Sequence, residues 1–490
     1  MLTKIKRLAK DSFIYSIGGL TGQFLGIFLV PIYTRIFSSN QYGIIDLIST
    51  VTAFITLFLV LGTDSAVARF YIDSDDDRDK KLTASTALYF KLLSVPLVIL
   101  VLILYSHELS LLIFKDESYS KYLIIALLSI PFAMCHSFFL YMLRWMFQTV
   151  RYAVLSVGLV LASASLTIYL VVFLGKGIIG IYWANLITYA IFSLIGFWLT
   201  RENYTLTFSF ERLKELLAFG IPLVPAAIAF YLMTYSDRYF LIYFTDLKEV
   251  GLYSIGNKVA SLLGLVTMGF AMAWGPLVYD TYREEDSKRT YSKVFDYFSI
   301  ATAFIVLILS VFSRELLTIF TTEEYIAAYI VVPFLVTSLA VYTAGDYILA
   351  IGLGIAKKTI HRGRIGVIAA VVNIFLNSLL IPFYGMVGAA IATLISFLLF
   401  GYLLFRKSQK YYYINYNFSA NFKMYAVVAL IIFIVYFLFN PDINLLNIII
   451  KIGLIIVFIV STFAFGIIGK TELYYFKLYL MKLKKTFALP

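Results

Sequence analysis

Polar side chains recur at helical spacing inside runs that are otherwise apolar. Asp46, Ser49, Thr50 and Ala53 follow an i, i+3, i+4, i+7 pattern, which places them on one face of a helix. A shift of 208 residues turns this set into Ser254, Asn257, Lys258 and Ser261. Two equivalent helices therefore carry equivalent polar faces, one with a carboxylate and the other with an ammonium. Tyr231, Thr234, Tyr235 and Arg238 repeat the spacing with Asp237 beside them, and an earlier run offers Gln23 and Arg35. An ammonium or guanidinium can neutralise an anion through charge-assisted hydrogen bonds, while hydroxyls and amides can replace water around a polar solute. Burying these charges in lipid would cost several kcal/mol, so they should face protein or water. The alternative for Asp46 and Lys258 is snorkelling to the outer surface. For Arg35 and Arg238, at corresponding outer ends, it is anchoring of a helix end.

Titratable groups on the inner side suit proton or ion traffic: Asp64 with Arg69 nearby, Asp346, and His136, which titrates near neutrality when unperturbed. A local ion pair or a packing histidine would account for the same residues. Asn373 and Asn377 share a helix face and should hydrogen-bond between helices. No metal cluster and no hydrolase motif appears, and the single cysteine, Cys135, excludes an internal disulfide. Gly469-Lys470-Thr471 resembles the end of a phosphate-binding loop, but Ala464 occupies the first glycine position. No catalytic residue, resident cofactor or metal is expected, and the protein reads as a non-enzyme.

The elements that must hold these residues follow from composition. Of 490 residues, 61% are hydrophobic, 18% aromatic and only 14% charged, against about 25% charged in a soluble domain. The chain reads as an all-α polytopic membrane protein. Apolar runs of suitable length, about 20 residues, occupy roughly 13–33, 43–64, 83–105, 121–143, 152–174, 178–200, 216–237, 251–275, 294–313, 326–350, 365–383, 386–405, 424–440 and 447–469, about fourteen transmembrane helices. Of the 40 Lys and Arg residues, 31 fall on one side of this arrangement and 7 on the other. That bias puts both termini in the cytoplasm. The net charge of +12 thus reads as topology and not as nucleic-acid binding.

The 208-residue shift also lays Gly177-Ile-Ile-Gly180 on Gly385-Met-Val-Gly388 and Gly43 on Gly251, and a shift of 207 pairs Glu108-Leu109 with Glu315-Leu316. Six spans recur as the next six in the same orientation. The expected organisation is a six-helix lobe at 1–214, a second at 215–410, and two additional helices with a basic tail at 411–490. Parallel repeats of this kind build two lobes that rock around a central cavity.

Ser16-Ile-Gly-Gly-Leu-Thr-Gly-Gln23, Pro31-Ile-Tyr-Thr-Arg35, Tyr42-Gly43 and Gly62-Thr-Asp64-Ser-Ala-Val-Ala-Arg69-Phe70-Tyr71 resemble the start of bacterial polysaccharide flippases. These are O-antigen or capsule repeat-unit translocases of the multidrug/oligosaccharidyl-lipid/polysaccharide exporter superfamily. The resemblance covers about the first 400 residues. It implies movement of an undecaprenyl-pyrophosphate-linked oligosaccharide from the inner to the outer leaflet of the cytoplasmic membrane, coupled to H⁺ or Na⁺. Polymerase and export machinery, together with membrane lipids, are the implied partners. On this reading Lys258, Arg35, Arg238, Asn257, Asp46, Tyr235 and Gln23 line the substrate cavity, and Asp64, Asp346 and His136 serve coupling. Two alternatives stay open: a cation-coupled drug antiporter of the same superfamily, and a membrane-embedded polymerase or ligase.

Overall fold

The computed structural model describes residues 21–22, 24–437 and 444–466, which are helices and connecting turns with no strand. Twelve of the described helices are long and apolar enough to cross a membrane. The difference from the expected fourteen arises at two places. The first expected run lies largely outside the described residues, which retain only the shorter apolar helix Phe24–Ile36. The eleventh and twelfth runs count as one stretch, Ile360–Ser408, but are two helices that meet in the expected tight hairpin at Gly385, whose torsions are non-helical (φ 51°, ψ −133°). A positive φ of this kind is readily adopted only by glycine. The expected eighth run, 251–275, is divided at Ser261 into Leu247–Ala260 and Leu262–Thr281.

Local signals explain where the spans begin and which way they face. Ser38 and Gln41 form a reciprocal capping box that starts the Ser39–Val60 helix, and that helix stops at two successive left-handed residues, Leu61 and Gly62. Along Asp77–Leu104, Leu93, Leu97, Leu100 and Leu104 are exposed while Leu88, Lys91, Val95 and Ile99 are buried. The exposed leucines are the lipid-facing stripe of a membrane helix. Lys91, counted among the 31 as part of the connection before the third run although 91 falls within 83–105, is inside this span on its inward face. Without it the bias becomes 30 to 7 and keeps its sign.

Spatial packing divides the chain into two compact units. The first gathers residues through Lys258 with Phe320–Val331 and Ile360–Phe400; the second contains Val259–Ile319, Val332–Thr359 and the chain from Gly401 onward. These units follow contact, whereas the expected lobes follow the sequence repeat.

In the first unit the repeat-equivalent glycines Gly43 and Gly251 meet. A Cβ on Gly43 would lie 2.0 Å from the Leu247 carbonyl oxygen, and one on Gly251 would lie 2.0 Å from that of Ser39. The absence of side chains lets the two helix backbones touch, as small residues do at membrane helix crossings. In the second unit Asn421 donates to Asp296 at 2.8 Å, Trp274 Nε1 donates to the Tyr347 carbonyl at 2.8 Å, and Lys451 of the last described helix, Leu445–Ala464, pairs with Glu315.

Candidate functional site

Two polar constellations stand out in the first unit. The first is built on the Val224–Phe244 helix, where Tyr235 and Arg238 are three residues apart and so share a face. Arg238 is buried. Its Nε lies 3.2 Å from Asp46 Oδ2 and its Nη1 2.7 Å from Asp237 Oδ1, and Nη1 also donates to the Thr234 carbonyl at 3.0 Å. The guanidinium carbon sits 5.3 Å from the ring centre of Tyr235 and 5.1 Å from that of Tyr253, within range of cation–π attraction. Tyr253 in turn donates its hydroxyl to Asp237. Three of the expected site residues, Asp46, Arg238 and Tyr235, are thus brought together with Asp237 and Tyr253 in an interlocked group. Behind it Ser236 donates to Asn373 Oδ1 at 2.9 Å, and Asn377 Nδ2 donates to Ser236 and Asn373 at 3.2 and 3.1 Å. The two bonds through Ser236 are the interhelical hydrogen bonds expected of the two asparagines, and the third links the asparagines within their own helix.

The second constellation is a cavity of about 520 Å³ whose wall includes Ser49, Thr52, Thr56, Ser129, Ser137, Tyr141, Tyr182, Asn185 and Tyr189. Its volume falls within the ~300–1,000 Å³ of small-molecule sites, yet its wall is richer in hydroxyls than such sites usually are. Two opposite charges also line it, Lys91 from Asp77–Leu104 and Asp64 from the short helix Thr63–Asp73. They form an ion pair in which Lys91 is 2% and Asp64 18% exposed. The Lys91 ammonium lies 4.8 Å from the ring centre of Phe138. Several wall hydroxyls donate back to their own helix: Ser49 to Ile45, Thr56 to Thr52 and Ser129 to Ala126. That arrangement commits the proton and leaves oxygen lone pairs for the cavity.

The remaining expected residues lie elsewhere. Ser49 and Ala53 of the expected stripe do line the cavity, but the lining face runs Ser49, Thr52, Ala53, Thr56, Val60. It is turned relative to Asp46 and Thr50, and the Thr50 carbonyl accepts from Tyr231 at 2.7 Å. Arg35 is exposed in the last turn of Val30–Ile36. Asn257 and Lys258 are half-buried near the end of Leu247–Ala260. Gln23 lies outside the described residues. His136 is buried with its ring 6.0 Å from that of the cavity residue Tyr189. Asp346 is buried in the π-helical turn Ala344–Leu349 of the second unit, so it and Asp64 belong to different units.

Lys91 is the residue that sequence reasoning passed over. Its signal was available, because a lone ammonium inside an apolar helical run is expected to face a partner or a cavity.

The profile of the family described as "Polysaccharide biosynthesis protein" matches residues 8–282, more than half of the chain, and the MatE profile matches 222–379. Lsg locus putative protein 1 of Haemophilus influenzae is 21% identical over 287 residues, covering 57% of this chain and 68% of that protein. The probable low-salt glycan biosynthesis flippase Agl15 of Haloferax volcanii is 26% identical over 204 residues, covering 39% of this chain and 40% of its own. Among solved structures, the lipid II flippase MurJ in an inward closed conformation superposes with a TM-score of 0.74 at 14% identity, covering 95% of this chain and all of that one. A MATE protein in a straight conformation gives 0.59 at 17% identity, covering 85% and 97%. These likenesses show the fold. The chain belongs to the polysaccharide biosynthesis protein family, and it is a multi-pass membrane transporter or flippase of the multidrug/oligosaccharidyl-lipid/polysaccharide exporter superfamily.

Proposed function

We propose that the protein moves an undecaprenyl-pyrophosphate-linked oligosaccharide from the inner to the outer leaflet of the cytoplasmic membrane, acting as a transporter and not as an enzyme. The observation that carries this reading is the hydroxyl-lined, charge-bearing cavity inside a bundle whose outer face is apolar. A sugar headgroup with a pyrophosphate cannot cross about 30 Å of hydrocarbon unaided, because each polar group stripped of water without a partner costs kcal/mol. Hydroxyls, amides and cations along a protein path replace that water while the lipid tail stays in the bilayer. The family description and the flippase named among the relatives support the same direction. The match to MatE favours a drug antiporter as a second reading, but a buried Lys91 ammonium in the cavity wall suits an anion better than a cationic drug.

In this proposal the repeats 1–214 and 215–410 alternate access, with 411–490 as an addition, and polymerase and export machinery receive the product. Lys258, Arg35 and Asn257 meet the pyrophosphate, and H⁺ or Na⁺ coupling runs through Asp64, Asp346 or His136. Both termini are cytoplasmic. Reporter tags at 77 and 116, at the two ends of successive connections, should therefore report cytoplasm and exterior respectively, and the same side for both would overturn the topology.

Cells that lack the protein should accumulate lipid-linked oligosaccharide on the inner leaflet, and the wild-type chain should clear it. Loss of one charge-assisted contact at Lys258 should weaken headgroup capture by about 1.5–3 kcal/mol, tenfold or more. Lys258→Ala should then abolish or strongly reduce export, Lys258→Arg should keep part of it, and abundance should stay near normal. Full export by Lys258→Ala would end the phosphate-binding role. The same measurement across pH, with Asp64→Asn, Asp346→Asn and His136→Gln singly and together, tests coupling: unchanged pH dependence in all of them removes the three as proton carriers.

A further inference from the structure

The cavity wall carries donors beyond those its own packing uses, and the first is Lys91. An ammonium carries three N–H donors, of which Asp64 takes one and the face of Phe138 accommodates the charge without accepting a conventional hydrogen bond. Asn185 adds to these, because its Oδ1 accepts from Ser163 at 2.9 Å and its Nδ2 donors remain for another group.

A wall of hydroxyls alone would suit any sugar. A buried ammonium adds a preference for an oxyanion, and Asp64 is the stand-in that holds the ammonium's charge while the cavity is empty. Asp64 is also the more exposed partner, so it loses less on being released toward water than Lys91 would on being left bare.

We infer that this cavity is a subsite for an oxyanion-bearing part of a hydroxyl-rich headgroup, and that the ligand's oxyanion displaces Asp64 from Lys91. The inference rests on the flippase reading and adds the chemical class of what is carried at this place. A uronate-type sugar carboxylate and the linking pyrophosphate both supply such an oxyanion.

The test uses full-length protein in nanodiscs, with Cys135→Ser and a reporter Ser129→Cys on the cavity wall. Anionic and cationic methanethiosulfonate reagents are compared for rate of modification. The anionic reagent should react faster; Lys91→Met should cut its advantage at least tenfold, and Asp64→Asn should raise it. Glucuronate should protect the reporter far better than the neutral methyl glucoside, and protection should vanish in Lys91→Met. Protection by glucuronate and not by inorganic pyrophosphate assigns the sugar carboxylate, and the reverse assigns the pyrophosphate. Equal rates for both reagents, protection by neither anion, or protection that survives Lys91→Met overturns the subsite. Because Lys91→Met strands a carboxylate, the neutral pair Asp64→Asn/Lys91→Met serves as a folding control, and it too should lose protection. Unprotected reporter with export intact sinks the subsite alone, whereas export that continues in cells without the protein sinks the flippase reading.

Discussion

Arg238→Ala should remove most of the protein from the membrane fraction before any question of transport arises. The guanidinium holds two carboxylates, Asp46 at 3.2 Å and Asp237 at 2.7 Å, and is itself 3% exposed. Removing one partner of a buried ion pair costs about 3–5 kcal/mol, because the remaining charge is left uncompensated, and here two charges are left. That is a large share of the ~5–15 kcal/mol by which folded proteins are ordinarily stable. Lysine at this position should be intermediate, since a single ammonium cannot serve both carboxylates in the fork geometry of arginine. Arg238→Met combined with Asp46→Asn and Asp237→Asn removes all three charges and should recover much of the lost abundance. Immunoblots of membrane fractions and thermal midpoints in detergent check this, and wild-type abundance and midpoint for Arg238→Ala would refute it. A cavity-lining arginine that only touched substrate would show the opposite pattern, normal abundance with export lost.

Gly43→Ala should be nearly as damaging for a purely steric reason. The new Cβ would lie 2.0 Å from a backbone oxygen, and backbone cannot rotate aside as a side-chain tip can. The two helices would have to part along their crossing, with loss of the contacts around it. Overpacking of this sort usually costs about 1–3 kcal/mol and sometimes more. Gly251→Ala should reproduce the effect. Gly269→Ala is the control, because nothing lies within 4 Å of its Cβ direction, and a helical glycine replaced by alanine should gain about 0.5–1 kcal/mol. Equal thermal midpoints for Gly43→Ala and Gly269→Ala would show that the close approach has no energetic weight.

The membrane spans were legible because apolar runs of about 20 residues are imposed by the bilayer itself, whatever the helices later pack against. The hairpin at Gly385 was legible as a boundary, and the non-helical torsions of that one glycine are what separate its two flanking helices. The polar stripe was half legible. Spacing placed Asp46, Ser49, Thr50 and Ala53 on one face, yet a face about 100° wide can split between two neighbours, and here Asp46 turns to Arg238 while Ser49 and Ala53 turn to the cavity. Which of Arg238 and Lys258 would meet Asp46 is a matter of tertiary approach, which periodicity does not encode. Lys91 was hidden because the charge count assigned it to the connection before the third span, although 91 falls inside the apolar run 83–105.

The ion pair between Lys451 and Glu315 bears on how the chain is assembled. A lone lysine at the seventh position of the Leu445–Ala464 span opposes entry into the bilayer, a cost that reaches about 2.5–3.5 kcal/mol at a helix centre on insertion scales. Its partner belongs to a helix made more than a hundred residues earlier, which will already be in place when the Lys451 helix leaves the ribosome. The span Leu445–Ala464 is therefore received by a prepared acceptor, and a chain interrupted before Lys451 leaves Glu315, 12% exposed, without its cation.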